Sequence, residues 1–174
     1  MKMQRLILYL SLFVLILIAW PGQAYPSGAD HEIGKLAPLF ELPDINGKNV
    51  LLSGFRGNIV LINFWATWCG PCRAEMPSLN NLYNALKDKG LVVIAISSDT
   101  SEKPVRSFVS DKKISFPVLM DKEKSVSFDL YGIVGIPITF VLDMNGIVVE
   151  KIIGEREWDA PKMKDKITRI LERR

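Results

Sequence analysis

The sequence predicts an α/β fold in which a mixed central sheet is flanked by helices. Two stretches, Ile59–Trp65 and Leu91–Ser97, are uncharged and rich in β-branched residues, which is typical of strands buried on both faces of a sheet. A helical apolar spacing lies between them, as expected where a helix connects two strands of one sheet. Asn-Gly pairs at 46–47 and 145–146 indicate hairpins, so antiparallel strands are expected as well.

The composition indicates one folded domain. The chain has 174 residues, of which 48% are hydrophobic and 24% charged, and a domain of about 150 residues buries about 70% of the surface of its unfolded chain. Such a domain needs no disulfide for its stability, which leaves the two cysteines free for chemistry. The net charge of +3 comes without a basic stripe, so nucleic acid is not an expected partner.

Residues 1–24 are predicted to be a secretory signal peptide or an N-terminal membrane anchor. Lys2 and Arg5 precede an uncharged apolar run at 6–20, and small residues then allow cleavage after Ala24. The run is shorter than the roughly 20 residues that comfortably span a bilayer, which favours the cleaved signal over an anchor through residues 6–20. In both cases we expect the catalytic part to work outside the cytoplasm, where disulfides persist.

The folded domain is predicted to cover residues 36–174, after a linker at 25–35. The linker contains a proline, two glycines and mixed charge, and its His31 is expected to be solvated rather than to act as a catalytic base. The domain begins with a predicted hairpin, in which strands at 39–42 and 49–52 flank the Asn-Gly turn.

After the first buried strand, a helix is predicted from Cys72 to about Lys89, where Gly90 stops it. Pro77 lies inside this helix and is expected to kink it. Ser101 is predicted to cap the next helix. The remaining elements, in chain order, are a strand at 91–97, a helix at 101–112, a short strand at 116–120, a helix at 124–131, two strands at 135–142 and 147–153 joined by a hairpin, and an amphipathic helix at 159–171.

The two cysteines, Cys69 and Cys72, follow the first buried strand and are separated by Gly70 and Pro71. Pro71 fits the first turn of a helix, where its missing N–H costs nothing, so the thiols are predicted at a helix N-terminus. The partial positive charge there favours a thiolate, and lowering a thiol pKa from about 8.5 to about 7 corresponds to about 2 kcal/mol. We therefore expect Cys69 to attack a client disulfide and Cys72 to resolve the mixed disulfide.

Three other interpretations of the cysteine pair are weaker. A structural disulfide that closes so short a loop would stabilise the fold by only about 2 kcal/mol in the loop-entropy model. A zinc site needs two more soft ligands, whereas the chain holds two cysteines and one histidine in all. The third interpretation is two unrelated buried thiols, but the string W-C-G-P-C is too specific to have arisen by chance.

The stretch F-W-A-T-W-C-G-P-C, which ends at Cys72, resembles the active-site motif of the thioredoxin superfamily. The R-A-E-M-P that follows is similar to its extracytoplasmic branch, which includes the ResA and TlpA thiol-disulfide oxidoreductases. The likeness extends from about Leu36 to the C-terminus. It implies a thioredoxin-like fold with two additions, an N-terminal β-hairpin and a central insertion between Cys72 and Pro137.

The resemblance also implies a substrate-binding surface beside the cysteines. In thioredoxin-like proteins an X-Pro bond at the position of Pro137 is cis and faces the cysteine pair, and Ile136 would pair through its backbone with an extended substrate. The alternative is a trans proline at the start of a strand. Threonine often follows this proline in the family, and Ile138 stands there instead. Trp68, together with Gly70 and Pro71, is expected to add to the docking surface.

Glu75 is the third candidate catalytic residue. It lies three residues after Cys72, on the same face of the predicted helix, and the ResA-like group has a glutamate at that distance which assists proton transfer. If Glu75 is buried, its pKa rises and it can accept the proton of Cys72. The alternative is a glutamate that merely complements the first turns of a helix. Cytosolic thioredoxins carry a buried aspartate at the position of Asn63, where it handles the proton of the resolving thiol. With asparagine there, that role would pass to Glu75, to water or to no group.

The function implied by the resemblance is an extracytoplasmic thiol-disulfide oxidoreductase whose redox group is the Cys69–Cys72 disulfide, with no metal or further cofactor. The Gly-Pro pair between the cysteines resembles thioredoxin, at about −270 mV, rather than strong oxidants near about −120 mV, so a reductase is expected. Its expected partners are a membrane electron donor of the CcdA or DsbD type and exported proteins, among which apocytochrome c is a candidate.

Three alternative functions stay open at the level of sequence. A dithiol oxidase would use the same residues in the opposite direction. A peroxidase of the peroxiredoxin type shares the fold, but its P-x-x-x-[ST]-x-x-C context is absent around Cys69. A non-catalytic binding module would use the surface beside Pro137 without the cysteines.

Overall fold

The computed structural model of the chain describes residues 33–172. The predicted signal or anchor segment, the cleavage position at Ala24 and the histidine at His31 lie outside the described residues. Within 33–172, no helix combines the length and the apolar character that crossing a bilayer requires. The last two residues of the predicted linker, Gly34 and Lys35, already pair through their backbones with Val148, so the packed part of the chain includes them.

The centre of the molecule is a five-stranded mixed sheet. Its strands are β3 (Ile59–Trp65), β4 (Leu91–Ser97), β5 (Val118–Met120), β6 (Ile138–Leu142) and β7 (Val148–Ile153), in the order β5-β4-β3-β6-β7. β4 runs parallel to both β3 and β5, whereas β6 runs antiparallel to both β3 and β7. The hairpin predicted near the N-terminus forms a separate two-stranded sheet of β1 (Glu41–Pro43) and β2 (Asn49–Leu51).

Within residues 33–172, three α-helices flank the sheet: α1 (Gly70–Leu86), α2 (Glu102–Asp111) and α3 (Pro161–Glu172). Short 3-10 helices occur at Leu52–Phe55 and Lys87–Lys89, and a π-helical segment spans Ser125–Leu130. The mixed sheet flanked by helices is therefore confirmed, and so is the separate hairpin. The helix expected at 124–131 exists but has π geometry, and the Asp121 carboxylate accepts hydrogen bonds from two backbone N–H groups of its first turn.

Several predicted boundaries move for physical reasons. β6 begins at Ile138 rather than at 135, because Ile138 pairs with Phe64 at the end of its partner β3. β5 begins after Pro117, which has no N–H to contribute to a ladder. Ser101 is the N-cap residue of α2, as predicted, but its hydroxyl makes no capping hydrogen bond. α1 begins at Gly70 and continues unbroken past Pro77 to Leu86.

Alternation along β3 separates two apolar layers. Leu61 and Trp65 face the layer that also contains Leu79 of α1 and Ile167 of α3. The opposite face of the strand, with Phe64 among its residues, packs against the hairpin and the π-helical segment. Asn63 is therefore the polar residue that β3 directs towards α1, since side chains of a strand alternate between faces with period two.

The second layer is organised around the ring of Tyr131. The ring centroids of Phe40, Phe64 and Phe140 lie 6.1, 5.1 and 5.4 Å from that of Tyr131. The Tyr131 hydroxyl donates a hydrogen bond of 2.8 Å to the carbonyl of Pro38, and burial raises the pKa of this phenol. This cluster connects the N-terminal hairpin and the π-helical segment to the central sheet.

Candidate active site

Cys69 and Cys72 form a disulfide at the N-terminus of α1. Cys69 is the N-cap residue of that helix, and its sulfur accepts a hydrogen bond of 3.2 Å from the backbone N–H of Cys72. The exposed fraction is 7% for Cys69 and zero for Cys72. Cys69 therefore keeps a small exposed area and lines an open groove, whereas Cys72 is enclosed by the protein.

The local sequence explains this position. β3 is buried at every residue and ends at Trp65, and the chain then turns through Ala66, Thr67 and Trp68 into α1. Pro71 lies in the first turn of the helix, as its missing N–H allows. No acidic residue lies in that turn, and the partial positive charge of the helix N-terminus acts on the sulfurs there.

Asp99 anchors the turn that precedes Cys69. Its carboxylate accepts hydrogen bonds from the backbone N–H of Thr67 at 2.9 Å and from the Thr67 hydroxyl at 2.6 Å. The Ser97 hydroxyl donates a third, at 2.7 Å. Ser97 is the last residue of β4 and Asp99 is buried, so these bonds hold the loop that carries Trp68 and Cys69 at the C-terminal end of β4.

The bond between Ile136 and Pro137 is cis, and it lies beside Cys69. The sulfur of Cys69 and the carbonyl oxygen of Ile136 are 3.8 Å apart. The two loops meet because β3 and β6 are adjacent in the sheet. Among the described residues, the backbone groups of Ile136 make no hydrogen bond with other backbone groups, whereas the Pro137 carbonyl accepts one from Gly154.

An open groove of about 520 Å³ runs from Cys69 to the π-helical segment. Of the predicted binding residues, Trp68 and Ile136 line it, whereas Gly70, Pro71 and Pro137 do not. Three of its apolar side chains are strongly exposed: Trp68 at 68%, Phe128 at 56% and Val134 at 90%. Its remaining lining residues include Lys124, Ser127 and Ile133.

Sequence reasoning missed the contribution of Phe128 and Val134 to this groove. The available signal was weak: Val134 stands between two glycines, Gly132 and Gly135, outside any predicted element. Single apolar residues are common in surface loops, and only a contiguous apolar patch points to a binding surface. Which surface Val134 belongs to depends on how the loop folds back onto the cysteines.

Glu75 lies on α1, one turn after Cys72, and is buried with 3% of its surface exposed. Asn63 Nδ2 donates to its Oε1 at 2.8 Å. The backbone N–H of Arg156 and the indole N–H of Trp158 both donate to its Oε2 at 3.0 Å. Burial raises the pKa of this carboxyl, the three donors act in the opposite direction, and repulsion from Glu155 adds to the rise.

Asn63 is fully buried and bonded to two groups. Besides Glu75 it contacts Thr139, whose Oγ1 lies 2.9 Å from Nδ2 and which pairs directly opposite Asn63 across β3 and β6. Sequence reasoning singled out Asn63 and Glu75 but missed Thr139 and Trp158. A lone polar residue in each of two buried strands was the signal that could have linked Asn63 to Thr139, since buried polar groups need partners.

A second cleft, of about 440 Å³, opens on the other side of Glu75. It lies between α1 and the segment that precedes α3, and its rim carries Ser78, Asn81, Glu155, Arg156, Glu157 and Asp159. Glu75 therefore lies between the buried cysteine and a cleft that is open to water. Within residues 33–172, no three metal-binding side chains of the His, Cys, Asp or Glu type lie close enough together to hold a metal ion.

Comparison with known proteins agrees with this geometry. The family model of the AhpC/TSA family matches residues 33–151. The chain is 41% identical over 161 residues to the thiol-disulfide oxidoreductase ResA of Bacillus thuringiensis, covering 90% of this chain and 92% of that protein. It is 33% identical over 157 residues to the ResA of Geobacillus thermodenitrificans, covering 88% and 90%.

Solved structures show the same fold. A Chlorobium tepidum protein, provisionally assigned as a thiol:disulfide interchange protein DsbE, superposes with a TM-score of 0.74 at 34% identity, covering 80% of this chain and 98% of that one. A thiol:disulfide interchange protein from Bacteroides sp. gives a TM-score of 0.71 at 30% identity, covering 81% and 91%. The thioredoxin-like fold implied by the motif is thereby confirmed.

Proposed function

Because the chain belongs to the AhpC/TSA family of thioredoxin-like proteins and is a thiol-disulfide oxidoreductase, we propose that it reduces disulfides of exported proteins outside the cytoplasm. One observation carries the proposal. Cys69 lies at a helix N-terminus and lines an apolar groove, and the fully buried Cys72 lies one turn from a buried carboxylate. This arrangement supplies an attacking thiol, a docking surface, a resolving thiol and a proton acceptor.

In the first step, the thiolate of Cys69 attacks a client disulfide. A bond forms between Cys69 and one client sulfur, the client S–S bond breaks, and the second client sulfur leaves as a thiolate that takes a proton from water. The helix N-terminus stabilises the attacking thiolate. The groove holds the client segment, and the backbone of Ile136 is available to pair with it.

In the second step, Cys72 resolves the mixed disulfide. Its thiol proton passes to the carboxylate of Glu75, and the resulting thiolate attacks the sulfur of Cys69. The Cys69–Cys72 bond forms, the remaining client sulfur leaves and takes a proton from water, and Glu75 releases its proton to solvent through the neighbouring cleft. Two electrons and two protons have then moved to the client, and the enzyme is left in the disulfide form that the structure describes.

The direction of electron flow is supported by the Gly-Pro pair between the cysteines. Thioredoxin, with this pair, lies at about −270 mV, and strong oxidants lie near about −120 mV, a gap of about 7 kcal/mol for a two-electron couple. A reductase of this kind needs a donor, for which we propose a membrane protein. The apolar run at 6–20 supports a location outside the cytoplasm, and the cysteines of apocytochrome c are the client that the ResA resemblance suggests.

Trapping tests the proposal. A Cys72→Ser variant cannot resolve its mixed disulfide, so exported clients should accumulate as dithiothreitol-sensitive adducts of Cys69 in the native host. The matched control, Cys69→Ser, should trap none. A measured potential near about −270 mV supports a reductase, whereas one above about −150 mV would indicate an oxidase. Peroxide consumption that survives Cys72→Ser would instead favour a peroxidase.

A further inference from the structure

The two oxygens of Glu75 have different neighbours. Oε2 accepts from the Arg156 backbone N–H and from the Trp158 indole N–H. Both of these nitrogens can only donate. A proton on Oε2 would face two donors and would displace at least one of them. When Glu75 takes up a proton, Oε1 is therefore the oxygen that carries it.

Oε1 faces the side-chain amide of Asn63. In the structure the nitrogen of that amide points towards Oε1, and it also contacts Thr139 Oγ1. An amide nitrogen donates but cannot accept, so this orientation suits the ionised carboxylate and not the acid. The other end of the amide, Asn63 Oδ1, is buried and has no hydrogen-bond partner among the described residues.

A half-turn of the amide exchanges its oxygen and its nitrogen. Oδ1 of Asn63 then accepts the acid proton from Glu75 Oε1, and it can accept from the hydroxyl of Thr139, which rotates to donate. In both orientations one end of the amide has two partners and the other end has none. The protonation state of Glu75 therefore decides which orientation is preferred.

We propose that Asn63 is a positioning residue whose amide turns with the protonation state of Glu75, donating to the carboxylate and accepting from the acid. Its functional meaning rests on the proposed role of Glu75 as acceptor of the Cys72 proton. The turn keeps Glu75 hydrogen-bonded before and after that transfer. An ionised aspartate at position 63 has no N–H and could not serve the carboxylate form.

The other groups that face Glu75 cannot replace this response. On its own helix the neighbouring titratable group is Cys72. The segment before α3 contributes charged side chains around the open rim of the cleft, namely Glu155, Arg156, Glu157 and Asp159. From β3, Glu75 is approached by the neutral Asn63, which also contacts the neutral Thr139 of β6. Of these groups, Asn63 is the one that contacts Oε1 directly and offers both a donor and an acceptor.

The decisive test uses Glu75→Gln as a fixed mimic of the acid. The carbonyl oxygen of the new side chain must accept from Arg156 and Trp158, which places its nitrogen towards Asn63. Neutron diffraction of the perdeuterated disulfide form locates the deuterons on the Asn63 amide. We expect Nδ2 towards residue 75 in the wild type at pH 8 and Oδ1 towards residue 75 in the variant. The same orientation in both would overturn the proposal.

A solution test compares two donors to Glu75 by following the carboxyl carbon of Glu75 with ¹³C NMR. Trp158 donates to Oε2 in both protonation states, and bonds to a charged group are about twice as strong as neutral ones, so Trp158→Phe should raise the pKa of Glu75 by about one unit. An Asn63 amide that turns also serves both forms, so Asn63→Leu should raise the pKa by a similar amount. A fixed donor would serve the carboxylate alone, so a shift about twice that of Trp158→Phe would overturn the proposal.

Neither test depends on the reductase activity. If Asn63→Leu fails to fold, the neutron comparison of the wild type with Glu75→Gln still decides the orientation. Failure of the orientation test leaves the trapping of clients by Cys72→Ser unaffected, and a failure to trap clients leaves the orientation of the amide unaffected. The two proposals can therefore be refuted separately.

Discussion

The buried carboxyl of Glu75 makes the stability of this protein fall as pH rises. Burial raises the pKa of Glu75 above its ordinary value of 4.5. Between the unfolded and the folded pKa, the folded state binds more of this proton than the unfolded state does. The free energy of unfolding therefore falls as pH rises through that window, by at most about 1.4 kcal/mol per pH unit for this group.

Glu75→Gln removes this titration and keeps an acceptor for the Arg156 and Trp158 N–H groups. Relative to the wild type, the variant should gain stability between pH 4 and pH 8, by about 1.4 kcal/mol for each unit by which the pKa is raised. With a urea m-value of about 2 kcal/mol/M, each unit corresponds to a relative midpoint shift of about 0.7 M. Urea unfolding of the disulfide form, followed by far-UV circular dichroism at several pH values, measures it.

Glu157→Gln is the matched control. Glu157 lies on the rim of the same cleft but is exposed, so the same loss of charge should change stability by less than about 0.5 kcal/mol at every pH. The reasoning is refuted if the stability of Glu75→Gln relative to the wild type stays constant from pH 4 to pH 8. It is equally refuted if the free energy of unfolding of the wild type rises relative to that of Glu75→Gln as pH rises.

Three further predictions concern the surroundings of the disulfide. Asp99→Ala removes the acceptor of the Thr67 N–H and hydroxyl, so it should lower the free energy of unfolding by about 2 to 4 kcal/mol in urea unfolding and slow insulin reduction. Val134→Asp places a charge in the groove and should lower kcat/KM for a protein client about tenfold, with an unchanged rate towards a small aromatic disulfide. Its control is Ile153→Asp, which changes another exposed apolar side chain on the edge strand β7 and should alter neither rate. Tyr131→Phe loses one hydrogen bond and should cost about 1 kcal/mol in urea unfolding, without changing the insulin assay.

The elements that the sequence predicted well are those with a strong local pattern. β3 and β4 occur at the predicted residues, because an uncharged β-branched run is stable when both of its faces are buried. The turn at Asn46-Gly47 also forms, and the Asp44 side chain accepts hydrogen bonds from its backbone. Elements whose limits depend on a partner were predicted less well, as the start of β6 shows.

The helix that begins near Ser101 illustrates why a local signal can mislead. Serine is a common N-cap, yet its hydroxyl makes no capping bond here. The acidic group of the first turn belongs instead to Glu102, whose carboxylate pairs with Lys122 and with Arg106. The residue type predicted the helix start correctly, but one ion pair at this start is formed by a residue twenty positions along the chain.

The sequence by itself determined the position of the thiols relative to a strand and a helix. Cys69, Pro71 and Cys72 lie within one turn, so steric and dipolar effects of immediate neighbours are sufficient to place them. The tertiary structure alone decided what surrounds those thiols and the carboxyl of Glu75. Ile136 reaches Cys69, and Trp158 reaches Glu75, because β3 packs between β4 and β6 and beneath α1. Contacts of that kind depend on which distant segments become neighbours when the apolar layers are buried, and no local pattern specifies them.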